Sequence, residues 1–226
     1  HGIERKDGEE VVAKLGASAA LHLDDLVDPA SPARIAAAAV AAFGRIDAVV
    51  NNAAIVARTN LGSATPEFFD RMMAVNLRAP LFLIQAAYPQ LKANQGCVLN
   101  ISSINAHSGQ ANLLDYSLSK GGMQTLSRNL ANAHAEDRVR VNHLNVGWVL
   151  TAREYAHQIE HGMGPDWPEK VPAQFAPSGR LIMPEEIAAA AVYWLGDESR
   201  PISGAVVDME QFSLIGRNPN KTAAKP

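Results

Sequence analysis

The feature that most constrains this chain is an alternation, in which short runs rich in Val, Ile and Leu recur between longer, alanine-rich amphipathic stretches. Such a rhythm is satisfied by parallel strands joined through helices that cover both faces of one sheet. The apolar runs place strands near 19–23, 46–51, 97–102, 139–145 and 204–209, with helices over about 7–15, 31–43, 66–92, 115–135 and 184–195. Three of these helices begin at Ser31-Pro32, Thr65-Pro66 and Met183-Pro184. Proline suits a first helical turn because the N–H it lacks would have no partner there. Over 151–180 the rhythm breaks: Gly162, Gly164, Pro165, Pro168, Pro172 and Pro177 mix a short helix with turns, and this stretch is expected to form a substrate lid. The expected class is α/β, a doubly wound parallel sheet in three α/β/α layers.

Composition narrows the function. With 226 residues, 47% hydrophobic and 19% charged, the chain is long enough for one substantial core, and a single domain over 1–226 is expected. Its 20 basic and 23 acidic residues include no Lys/Arg run that would track a phosphate backbone, which argues against nucleic acid. The longest apolar stretch, 35–43, is mostly alanine and far short of the roughly 20 residues that span a bilayer. Cys97 is the one cysteine, so no intrachain disulfide forms; a reducing, cytoplasmic setting and a buried structural thiol are expected. His157 and His161 stand four apart, a spacing that can bind metal on a helix, but no third ligand is evident and no metal is expected.

In open parallel sheets, ligands bind outside the carboxyl ends of the strands. One such end reads Asn51-Asn52-Ala53-Ala54, small and amide-bearing residues that let a ligand approach the backbone. Another reads Ser102-Ser103, followed thirteen residues beyond Ser103 by Tyr116-Ser117-Leu118-Ser119-Lys120 at a helix start. Residues four apart share a helix face, so the Tyr116 phenol and Lys120 ammonium project together. A phenol with a pKa near ~10 is a poor base at neutral pH, and a fixed positive charge nearby stabilises its phenolate.

The segment from Gly96 through Asn100-Ile101-Ser102-Ser103, followed by Tyr116-x-x-x-Lys120, resembles the short-chain dehydrogenases/reductases. Asn51-Asn52-Ala53-Ala54 is similar to the family's N-N-A-G, Asp25-Leu26-Val27-Asp28 to its adenine-contacting turn, and Asn76 to the asparagine that bends its fourth long helix. The resemblance runs from about residue 7 to 209 and implies a Rossmann-like fold and an NAD(P)-dependent oxidoreductase acting on an alcohol or carbonyl. It further implies that Tyr116 exchanges a proton with the substrate oxygen, that Ser103 holds that oxygen, that Lys120 bonds the nicotinamide ribose and depresses the Tyr116 pKa, and that Asn76 positions a water joining Lys120 to solvent. Asp25, Leu26, Asn52, Ala53, Ala54, Gly147, Val149 and Thr151, with Tyr116 and Lys120, would line the cofactor. His107, Gln110, Trp148, Tyr155 and His157 would face the substrate and suit a sugar or polyol derivative. A homodimer or tetramer through the two long helices is implied, with Leu81, Phe82, Ile84 and Leu126 serving that interface or the core.

The chain also departs from the pattern. The family's glycine-rich pyrophosphate turn is not in this sequence, which opens at His1-Gly2-Ile3 where the second strand would end. The expectation is an omitted first β-α unit of roughly 30 residues, without which cofactor binding would be weak or nil. Ala54 replaces a glycine, Asn145-Val146-Gly147 replaces a Pro-Gly turn, and the expected D-G-G after the last strand reads Glu210-Gln211-Phe212, followed by a tail over 215–219. NAD or NADP stays open, with Arg5 and Lys6 tilting toward NADP. Two rivals share these residues: a nucleotide-sugar epimerase or dehydratase, and a non-catalytic Rossmann-like regulator or scaffold.

Overall fold

Four parallel strands, β1 (Ala48–Asn51), β2 (Cys97–Ser103), β3 (Arg140–Val146) and β4 (Val206–Met209), pair side by side in chain order in the computed structural model, which describes residues 2, 4–107 and 109–214. Asn51 stands opposite Asn100, Ser103 opposite Val146, and Val146 opposite Met209, so the carboxyl ends gather along one edge. β2 and β3 are buried on both faces and read as near-continuous runs; β1 alternates, with Val49 and Asn51 buried and Ala48 and Val50 exposed.

Among the described residues, seven α-helices connect and flank the strands: α1 (Arg5–Leu15), α2 (Ser31–Phe43), α3 (Pro66–Met73), α4 (Ala79–Asn94), α5 (Leu114–Ala133), α6 (Ala152–Glu160) and α7 (Pro184–Leu195). Their starts follow from local chemistry. Thr65 Oγ1 accepts from Phe68 N ahead of Pro66, Thr151 Oγ1 accepts from Glu154 N, and the Glu186 carboxylate accepts from Met183 N. α2 ends at Gly44, whose φ of 79° a side chain would strain. On one face of the sheet, Val49, Val98 and Val141 pack against Ala36 of α2, Ile84, Ala87 and Leu91 of α4, and Ala131 of α5. α7 covers the other face incompletely: none of its residues is buried, and Val50, Ile101, Ile187, Ala188 and Ala191 line an open apolar groove of about 520 Å³. The three-layer α/β/α class read from the sequence is the class observed.

Two elements differ from expectation. Residues 19–23 form no strand; among the described residues Leu23 makes a parallel bridge to Gly2. The helix expected over 66–92 is interrupted by a π-helical turn, Ala74–Arg78. Pro80 has no N–H to bond back along the helix, and Asn76 binds a neighbouring loop, which together favour the wider turn. On α4, Ile84 belongs to the core while Phe82 is exposed. The tail over 215–219 and Ile3 lie outside the described residues.

Candidate active site

Ser103 ends β2, and Tyr116 and Lys120 sit in the first two turns of α5, which packs against β2, β3 and the 3-10 turn Ile104–Ala106. All three side chains are buried, and the ring of Tyr116 is wedged among Met72, Leu113, Ile55, Ala57 and Phe68. The Tyr116 hydroxyl hydrogen-bonds Ser103, and Lys120 Nζ stands 5.6 Å from the centre of the phenol ring while donating to Ile101 O at 3.1 Å. Burial pushes the Lys120 ammonium down to about 8. It also pushes the Tyr116 phenol up, against the opposing pull of the Ser103 bond. The depression of Tyr116 expected from Lys120 is not seen in this structure: loss of water around the ring raises the phenol, and the opposing pull comes from Ser103.

Ser103 has a partner that spacing did not reveal. Asn105 points both its backbone N–H (3.2 Å) and its side-chain amide (3.4 Å) at Ser103 Oγ. With those donors on its lone pairs, the Ser103 proton is directed toward an oxygen in the cleft.

Two connected spaces meet at this group. One, about 400 Å³, is lined by Asn52, Ala54, Lys120, Val149, Thr151, Arg153 and His157. The other, about 590 Å³, is lined by Arg58, Asn105, Gln110, Gln158, Phe175 and Glu210. Ser103, Tyr116, Gly147, Trp148 and Glu154 belong to both. A smaller hollow of about 180 Å³ lies behind, formed by Leu26, Asn52, Ala53, Pro80 and Leu83. The first space is bordered by cations, Lys120 and Arg153, while Glu210 and Arg58 stand in the second.

Four residues singled out from sequence sit elsewhere. Asp25 is exposed and lines none of these spaces; its carboxylate accepts from Val27 N at 2.9 Å and closes a turn. His107 turns away to Asp208 (2.8 Å) and Asn145 (3.0 Å). Tyr155 donates to Pro165 O, with its ring 6.3 Å from Trp167, inside the 151–180 segment. Asn76 lies behind the site: it accepts from Ile55 N and donates to Ile55 O, Ser119 Oγ and Met72 Sδ, so both ends of its amide are taken by protein groups. His157 and His161 stack at 4.1 Å, and no group of three metal-ligating side chains occurs among the described residues. Asn105, Arg153 and Glu210 went unread as site residues, although the departure Glu210-Gln211-Phe212 marked one of these places in the sequence.

Fit to a dinucleotide can be judged from these walls. The space of about 400 Å³ beside Lys120 and Arg153 and the Leu26 hollow suit a nicotinamide end and an adenine end, joined past Asn52, which lines both. Gly147 is the one glycine among the lining residues of these spaces, so a glycine-rich phosphate turn is not found among the described residues.

Comparison with known proteins identifies the family. A family model described as enoyl-(acyl carrier protein) reductase matches residues 2–211. A short-chain dehydrogenase/reductase of Cladobotryum sp., FrzI, is 34% identical over 201 residues, covering 88% of this chain and 77% of that protein. D-threitol dehydrogenase of Mycolicibacterium smegmatis is 32% identical over 207 residues, covering 90% of this chain and 77% of that protein. Among solved structures, L-sorbose reductase of Gluconobacter frateurii superposes with a TM-score of 0.85 at 22% identity, covering 95% of this chain and 85% of that one. The chain belongs to the short-chain dehydrogenase/reductase family and is an oxidoreductase of that family acting on CH–OH groups.

Proposed function

We propose that this protein interconverts an alcohol of a polyol or sugar derivative and the corresponding carbonyl, with Tyr116 as the proton-transferring group. The observation that carries the reading is the cluster at the junction of the two spaces: the Tyr116 hydroxyl bonded to Ser103, with the Lys120 ammonium 5.6 Å from the ring. A bound nicotinamide cofactor supplies or takes the hydride. Ser103, steered by Asn105, donates to the substrate oxygen and fixes it beside the phenol. During reduction Tyr116 gives its proton to that oxygen; during oxidation it takes one. Lys120, held by Ile101 O, keeps positive charge beside the phenol as it ionises and presents its other protons to ribose hydroxyls. Closely spaced donors of this kind act by orientation as much as by acid–base transfer.

Support for a hydroxylated substrate comes from the polar side chains of the second space, Gln110, Asn105 and Gln158, and from the relative whose name is D-threitol dehydrogenase. A further relative, 2-dehydro-3-deoxy-D-gluconate 5-dehydrogenase of Dickeya dadantii, is 25% identical over 210 residues. The L-sorbose reductase structure is titled as a complex with NADPH. Arg5 and Lys6, at the start of α1, support NADP over NAD. Phe82 on α4 and Leu118 on α5, 41% and 52% exposed, support pairing of these helices between two copies. No helix among the described residues is long and apolar enough to cross a membrane.

The test is cofactor absorbance at 340 nm with D-threitol, xylitol and L-sorbose, using NAD(H) and NADP(H) in turn. Tyr116→Phe is expected to lower kcat/KM by about 10²–10⁴-fold, the range for a positioned acid–base group. Retention of more than a tenth of the activity by that variant would remove Tyr116 from the chemistry.

A further inference from the structure

One face of α6 looks into the first space. Arg153, Glu154 and His157 line it, positions that a helix brings to the same side, while Tyr155 turns to Pro165 O. On this wall the donors outnumber the groups that answer them. The Glu154 carboxylate is engaged: its Oε1 accepts from Trp148 Nε1 and from Gln158 Nε2, both at 2.8 Å. Arg153 has no hydrogen bond or ion pair among the described residues, which leaves its charge and five N–H donors unanswered. His157 Nδ1 is buried without a partner. Ser102, 5% exposed, lines the same space, and its hydroxyl is also unpartnered among the described residues. Lys120 spends one proton on Ile101 O and keeps two.

We propose that Arg153 binds the cofactor phosphate on the nicotinamide side, so that the 151–180 segment holds the dinucleotide through α6. The proposal rests on the nicotinamide cofactor of the reading above and assigns one of its contacts to a single side chain. Three features argue for it. A dinucleotide laid from this space past Asn52 into the Leu26 hollow carries a phosphate next to its nicotinamide ribose, and Asn52, Thr151 and Arg153 all line the space in which that end belongs. A guanidinium presents paired N–H groups in one plane, a shape that meets two phosphate oxygens at once. Arg153 also stands in the first turn of α6, where the helix dipole adds positive potential to the same wall. A phosphorylated polyol would present the same oxygens, so the test separates the two sources.

The experiment is titration calorimetry of the protein, Arg153→Gln and Arg153→Lys, each checked for native circular dichroism. The ligands are reduced nicotinamide mononucleotide, reduced nicotinamide riboside, which lacks the phosphate, and glycerol 3-phosphate. The parent should hold the mononucleotide more tightly than the riboside. Arg153→Gln is expected to raise Kd for the mononucleotide by about 30-fold, the loss of one hydrogen bond between charged groups, and Kd for the riboside by less than about twofold. Arg153→Lys should fall between, because a point charge keeps the attraction and loses the paired geometry. Raising NaCl from about 0.05 M to about 0.5 M should shrink the parent's preference for the mononucleotide and leave that of Arg153→Gln unchanged. A mononucleotide Kd within about threefold of the parent value in Arg153→Gln overturns the proposal, as does an equal loss on the riboside. A parent that holds the mononucleotide no more tightly than the riboside, undetectable binding of both included, overturns it too. A loss confined to glycerol 3-phosphate moves the contact to the substrate and has the same consequence. None of these readings involves turnover, so the expected pattern in a protein that oxidises no polyol supports Arg153 and counts against the proposed function alone.

Discussion

His143 is wholly buried in the middle of β3 and links a line of side chains that crosses the sheet. Asn51 donates to Asn100, Asn100 to Ser127, Ser127 pairs with His143 Nδ1, and His143 Nε2 pairs with Asn145, all between 2.8 and 2.9 Å. Burial pushes the His143 imidazole down to about 4, outweighing the opposing bond to Asn145. Because that value lies below the ordinary one near ~6.5, the unfolded chain takes up a proton between about pH 6.5 and 4 that the folded chain refuses, and stability falls as the pH drops through that window. The contribution is full above pH 6.5, and the loss by pH 4.5 is roughly 2–3 kcal/mol. His143→Gln, which keeps a hydrogen-bonding side chain but does not titrate, should lose that much less between pH 7.5 and 4.5 in urea unfolding; parallel losses in the two proteins would show that the folded state protonates His143 as readily as the unfolded chain does. Among single residues, Ser103, Tyr116 and Lys120 were legible because a helix puts positions four apart on one face and a strand end fixes the serine. The orientation of His107, the grip of Asn105 and the placing of Glu210 were not. Those of His107 and Glu210 depend on which strand lies next to which, a tertiary fact that spacing along the chain does not encode, while Asn105 grips Ser103 through a local turn, two residues on.

Elements were legible in proportion to how much of their stability is local. Helix α7 was read from sequence with the bounds it has, since Pro184 starts it and the alanine-rich run sustains it. The strand expected over 19–23 appears among the described residues as one bridge, Leu23 to Gly2, and the π turn over Ala74–Arg78 depends on a bond from Asn76 to Ile55, 21 residues upstream. How α7 is held in place was equally hidden from the sequence. Arg140 on β3 is 4% exposed and donates to Trp194 O, Gly196 O and Ser199 Oγ, so its guanidinium caps the carboxyl end of α7. Those carbonyls carry the negative end of the helix dipole and have no partners within the helix, so a buried cation satisfies both needs at once. Arg140→Met would leave Trp194 O and Gly196 O to share the single Ser199 hydroxyl, which lies 3.1 and 3.0 Å from them. We expect a loss of about 3 kcal/mol, seen as a melting temperature lower by about 6–12 °C, with Arg140→Lys recovering part of it. An unchanged melting temperature in Arg140→Met would mean that water reaches those carbonyls and the cap adds nothing.

Across the whole molecule, the sheet with α2, α4 and α5 forms one core, while residues 151–180 build a second, smaller one. Trp167, 1% exposed, packs there with Ala176 and Leu181 against Trp148, Leu150 and Val171, and its ring stacks on Trp148 at 5.7 Å. This cluster joins the sheet through a narrow seam, Leu150 N to Ile182 O and Ile182 N to Trp148 O, a parallel bridge at Val149. Just past β4 the Gln211 side chain adds bonds to Ser178 and to Arg180 O, and a satellite held by one tryptophan, two backbone bonds and this one amide should open without the main core. Trp148 also lines both halves of the cleft, so loosening the cluster loosens the site wall. Trp167→Ala removes a buried side chain whose loss costs about 3–5 kcal/mol in a well-packed core. If the segment is a separate cooperative unit, the cost falls on it alone: brief trypsin digestion should cut the variant rapidly after Arg153 or Lys170, both within 151–180, while the main thermal transition moves by only a few degrees, and KM for a polyol should rise more than kcat falls. A single transition lowered by the full amount, with no new early cleavage, would instead show that the segment and the sheet unfold as one body and that no independent opening of this wall governs access to Tyr116.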